Sequence, residues 1–177
     1  MNKKGSLIVL AMGLLMLFAA TAPAMAKPAT KVPASTTLIS STTVLPPPEV
    51  KITPSGVTHV RGIHFTNQRT LTIGGTEYDV YVVGSWDTVW NPTTGTAIAH
   101  FTAVWYVGSL TDPTSDGFSG NQEAITLNYN PVTETGGETT AHLVFQGFGS
   151  FAQYTLKLDY KGPMAGSINP SGYCIIP

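Results

Sequence analysis

The sequence predicts an all-β protein, an eight-stranded antiparallel β-barrel with a β-sandwich as the alternative. Three observations carry the prediction. From residue 57 onward, short apolar and β-branched runs alternate with turn residues, and no window of useful length shows a helical period. Charged residues make up only 11% of the chain, far below the roughly 25% of an average soluble domain, which argues against a helical or coiled-coil protein. The long run 96–107 carries apolar groups on both faces, with Ala97, Ala99, Phe101, Ala103, Trp105 and Val107 on one and Ile98, Val104 and Tyr106 on the other. A strand covered on both faces fits a barrel wall that also meets a neighbouring subunit, so a homo-oligomer is expected.

The 177 residues are one domain's worth of chain. Met1 to Lys4 carries two lysines, an apolar run follows from Leu7 to Ala20, and Ala24-Met25-Ala26 ends the segment. This is the order of a secretory signal, with cleavage expected after Ala26. The apolar run, about 14 residues, is shorter than the roughly 20 that span a bilayer as a helix. Secretion or display at the cell surface is therefore the expected address. Loss of Lys3 and Lys4 lowers the basic count from 9 to 7 against 10 acids, so the net charge moves from −1 to −3. That balance leaves no basic footprint for nucleic acid.

Residues 27–56 are rich in Ala, Pro, Thr, Ser and Val and include Pro46-Pro47-Pro48. With little apolar periodicity to offset ordering entropy, they read as an extended linker. The barrel domain is assigned to residues 57–177. Its first two strands are 57–65 and 68–73, and Gly74-Gly75 supplies a two-residue hairpin turn into 77–84. Further strands follow at 96–107, 118–129, 139–147, 154–160 and 172–176. Asn91-Pro92-Thr93-Thr94-Gly95, Asp112-Pro113, Asn130-Pro131, Gly136-Gly137, Gly162-Pro163 and Asn169-Pro170-Ser171-Gly172 separate them.

In the C-terminal half, Gly117-Phe118-Ser119-Gly120, the run from His142 to Phe151 with Gln146-Gly147-Phe148-Gly149, and the run from Thr155 to Gly162 form a pattern of glycines and aromatics at strand corners. It resembles the allene oxide cyclase and dirigent-like barrel superfamily over about 60 residues. The resemblance implies an eight-stranded barrel, an apolar cavity and oligomerisation. It also implies an alternative activity, guidance of a cyclisation or of a phenolic coupling. No catalytic residue of that superfamily has a counterpart here, and fold alone does not carry function.

Chemistry-bearing residues are few. Glu123 shares a strand face with Asn121, Ile125, Leu127 and Tyr129 and is the candidate general acid or base if that face turns inward. Trp86, Trp90, Trp105, Tyr106 and His100 are the candidate ligand-binding residues, with Trp86 and Trp90 expected at an exposed rim where rings stack on sugars or clasp an apolar ligand. His59 and His64 are five apart, which on a regular strand sends them to opposite faces. No pair of histidines has a metal-motif spacing, so a metal site would have to assemble across strands. Cys174 reads as a buried thiol, with a link between two subunits as the minor alternative. No cofactor is implied. The leading expectation is a noncatalytic module that holds a small apolar ligand or contacts a surface partner. A guide of the dirigent type and attachment to the cell envelope are the alternatives.

Overall fold

A computed structural model describes residues 28–44, 48–109, 112–128, 137–163 and 168–177. The expected signal segment lies outside them. The described residues form nine strands: β1 (Thr30–Val44), β2 (Glu49–Ile52), β3 (Thr58–Ile73), β4 (Thr76–Asn91), β5 (Thr96–Ser109), β6 (Asp112–Leu127), β7 (Glu138–Phe148), β8 (Thr155–Pro163) and β9 (Ser171–Ile176), with one 3-10 turn at Gly149–Phe151. From β3 to β9 each strand pairs antiparallel with the next. β1 then pairs with β9 on one edge and β3 on the other, which closes an eight-stranded barrel. β2 is the ninth strand and lies outside the barrel, paired with the opening residues of β3.

Two expectations need correction. The segment read as a linker supplies β1 and β2. In β1, Ala34 and Thr36 are buried and alternate with exposed neighbours, so this Thr-rich stretch is amphipathic with small inward groups, and its β-branched residues suit a pleated wall. The two short strands expected at 57–65 and 68–73 are one strand, β3. Thr66 and Asn67 pair with Val83 and Val82 of β4 without interruption, so no turn intervenes. The barrel therefore has eight strands, but a different eight from those expected.

The β3–β4 hairpin is the expected two-residue turn. Gly74 and Gly75 have φ of 58° and 88°, the paired left-handed conformations of a type I′ turn, which disfavour a side chain. Gly117 has a different reason to be glycine. A β-carbon there would stand 1.9 Å from the Trp105 carbonyl oxygen, so the close passage of β6 over β5 excludes any side chain.

Side chains fill the interior. Leu71, Val80, Val82, Trp105, Phe118, Leu143, Phe145, Leu156, Leu158 and Cys174 form one buried cluster. At one end Phe151, from the 3-10 turn, stacks within 5.1 Å of Phe118 and 5.5 Å of Tyr78, measured between ring centres. Towards the other end Phe65, Trp86 and Phe101 form an aromatic cluster, with Trp86 at 5.2 Å and 5.5 Å from the other two. Beyond it the buried hydroxyls of Thr126 and Thr139 bond to each other at 2.9 Å. This satisfies both groups away from water.

Candidate functional site

The barrel register separates apolar from ionisable chemistry. On β5 the face with Ala97, Ala103 and Trp105 turns inward, and the face with Ile98, His100 and Thr102 turns to solvent. His100 stands opposite Asp87 of β4 and Glu123 of β6. Glu123 stands opposite His142 of β7, and His142 opposite Asp159 of β8. The result is a single row across five strands, Asp87, His100, Glu123, His142 and Asp159, all exposed on the outer wall.

Neighbours in the row alternate between carboxylate and imidazole. His142 Nδ1 lies 2.5 Å from Asp159 Oδ1, and His100 Nδ1 lies 3.9 Å from Glu123 Oε2. Asp87 is held from the other side, where its Oδ1 accepts the Gly62 N–H at 2.8 Å. Cross-strand polar pairs contribute only about 0.2–1 kcal/mol each, and exposed pairs sit low in the range. The row is thus a small term in stability but a large polar feature of the surface.

Glu123 accordingly faces outward, which corrects the expectation that it could work inside the barrel. It does share its face with Asn121, Ile125 and Leu127, but that face is the outer one. The inner face of β6 holds Phe118, Gly120, Gln122, Ala124 and Thr126. Small groups there leave room for Trp105 and Phe145, whose rings meet at 4.8 Å. The outer face therefore looks the more apolar in sequence.

The five candidate ligand-binding residues do not converge. Trp105 is buried in the core. Trp86 packs in the inner aromatic cluster instead of standing free at a rim. Trp90 shares the inward face of β4 and is half-buried. Tyr106 lies on the outer face, edge-on to Phe148 at 6.0 Å, and His100 belongs to the outer row.

His59 and His64 share the outer face, contrary to expectation, because a one-residue bulge falls between them at Arg61 and Gly62, where Gly62 has φ of 70°. His59 lines an open groove with Glu49, Lys51, Thr53 and Arg61. Among the described residues no group of three or more His, Cys, Asp and Glu side chains is placed to hold a metal ion. Cys174 is fully buried, and burial pushes its thiol up to about 11. It is out of reach of a second subunit.

An inward cation was missed. Arg69 lies on the inner face of β3 at 9% exposure, donating from Nη1 to Ile168 O at 3.0 Å and to Thr36 Oγ1 at 3.4 Å. Its alternation with Phe65, Asn67, Leu71 and Ile73 could have been found by treating residues 58–73 as one strand. The chain matches no protein-family model, and no curated protein or solved structure gives a significant match.

Proposed function

We propose that the protein is an exported, noncatalytic β-barrel module that works by contact, binding a component of the cell surface through its outer wall. The row Asp87, His100, Glu123, His142 and Asp159 carries this reading, because it gathers ionisable groups from five strands onto one accessible strip. The packed interior supports it. Phe118, Phe145, Leu156 and Leu158 are each at most 1% exposed, so the centre of the barrel is occupied by the protein's own side chains.

Co-sedimentation with washed cell envelopes tests the reading. A triple variant, His100→Ala, Glu123→Gln and His142→Ala, is expected to stay in the supernatant while still folded, with a melting temperature within a few degrees of the unmodified protein, which sediments. Sedimentation of both proteins alike would refute a contact made through this row. Native mass spectrometry of the secreted protein tests the address and the interior together. The expected mass begins at Lys27 and carries no small molecule. A mass excess lost on denaturation would move the function to a ligand held inside.

The second reading, a dirigent-type guide of an apolar substrate, is favoured by the half-buried Trp86 and Phe101 beside Phe65. These rings could line a place for an apolar group. The exposed Glu123 supplies no proton transfer there, so such a guide would act by shape.

A further inference from the structure

Among the described residues, Arg69 is a buried cation without an anionic partner. The contacts between basic and acidic side chains among the described residues, His100 with Glu123, His142 with Asp159 and Lys161 with Glu138, all exclude it. Its two hydrogen bonds to described residues leave from Nη1 and end on neutral oxygens. Burial lowers the guanidinium to about 10, with no carboxylate acting in the other direction, so it stays charged at neutral pH. A buried charge is costly unless it is both paired and hydrogen-bonded.

An unsatisfied polar atom lies at the neighbouring inward position. Asn67 occupies the next inward position on β3, opposite Val82, as Arg69 lies opposite Val80. Its Oδ1 is buried and has no hydrogen-bond partner, and buried polar groups are rarely left in that state. A half-turn of the amide would present Nδ2, a donor, at the same place.

Arg69 lies where the barrel wall is weakly paired. β1 pairs with β9 only as far as Ser35 opposite Ser171. Beyond that point the seam is held by Thr36 N–H on Pro170 O and by Leu38 N–H on Asn169 Oδ1. The Arg69 contacts with Thr36 and Ile168 lie at this seam, where strand pairing has given way to isolated bonds.

We propose that Arg69 and Asn67 form a binding site for a carboxylate within the barrel seam. The carboxylate takes the guanidinium edge formed by Nε and Nη2 through two parallel bonds, the geometry in which arginine binds carboxylates best. The Asn67 amide donates a further bond. The site is independent of the outer row and goes beyond the contact function.

The test follows the melting temperature of the full secreted protein at pH 7 in potassium acetate, potassium dodecanoate or potassium chloride at matched ionic strength. A ligand that binds the folded state alone raises the melting temperature in a saturable way. Acetate or dodecanoate is expected to do so and chloride not, and Arg69→Met is expected to abolish the response. The triple variant of the outer row keeps it. Saturation by dodecanoate at far lower concentration than acetate identifies an amphiphile's head group, and similar saturation identifies a free small carboxylate. Equal shifts in all three salts, or an undiminished response in Arg69→Met, overturn the proposal. If Arg69→Met does not fold, carbon-13 acetate is titrated against the unmodified protein. Saturable line broadening supports the site, and unbroadened signals overturn it.

Discussion

Truncating Phe145 to alanine measures whether the barrel interior is packed or hollow. Phe145 is 1% exposed, and its ring centre lies 4.8 Å from that of Trp105. Returning a fully buried phenylalanine side chain to water costs about 2–3 kcal/mol. The space left behind adds roughly 24 cal/mol per Å³, or about 2 kcal/mol for a residual cavity of about 80 Å³. The expected loss is thus about 4 kcal/mol, a fall in melting temperature of roughly 8–16 °C for a domain of this size. Urea denaturation followed by tryptophan fluorescence reads the loss directly. A loss below about 1 kcal/mol would refute the reasoning. It would mean that Phe145 lines a space already open, and the case for a filled interior would fall with it.

Other sites give sharper local tests. Gly117→Ala forces a β-carbon against the Trp105 carbonyl oxygen, and should cost about 3 kcal/mol or more in urea denaturation because backbone on both strands would have to separate. Cys174 should resist a thiol reagent in the native protein and react once guanidinium unfolds it, since its sulfur is buried and its thiol raised to about 11. The folded state holds that proton more tightly than the unfolded chain. The thiol should therefore leave stability unaffected below its usual range and lower it as pH rises from about 9 towards 11, and Cys174→Ala should remove that contribution over the same interval. The Ser150 N–H donates to Asp116 Oδ1 at 2.8 Å, and with the Ser150 side chain it holds the carboxyl below its usual range. An NMR titration should show the Ser150 amide shift moving only when acid protonates Asp116, below about pH 3.8.

The strand class and the Gly74-Gly75 turn were legible because both rest on local chemistry, β-branched alternation and the need for positive φ. Closure was not. β1 reads as a polar tract because its buried residues, Ala34 and Thr36, are small or hydroxylated, and hydropathy alone does not separate such a strand from a linker. β3 reads as two strands because the polar Thr66-Asn67 looks like an interruption, whereas Asn67 turns into the barrel. The outer row was hidden for another reason. Its five residues were each visible, but their meeting depends on the register of four strand pairs, which a single sequence does not specify. His59 and His64 show how far one bulge can mislead, since an added residue at Arg61 and Gly62 reverses the face of every side chain on one side of it.

The way β1 seals the barrel also bears on the order in which the chain assembles. Strands β3 to β9 form an unbroken meander in which each strand pairs with its neighbour in sequence. The β1–β9 pairing instead joins Thr30 to Ile176, nearly the whole chain apart, and such distant contacts form slowly. Until β1 docks, the meander exposes two unpaired edges, one on β3 and one on β9. At high concentration those edges are open to the β1 strand of another molecule, and two chains that exchange this strand would complete the same hydrogen-bond ladders as two separate barrels. Refolding yield should thus depend on protein concentration even though the finished barrel has no open edge at that seam between residues 30 and 35.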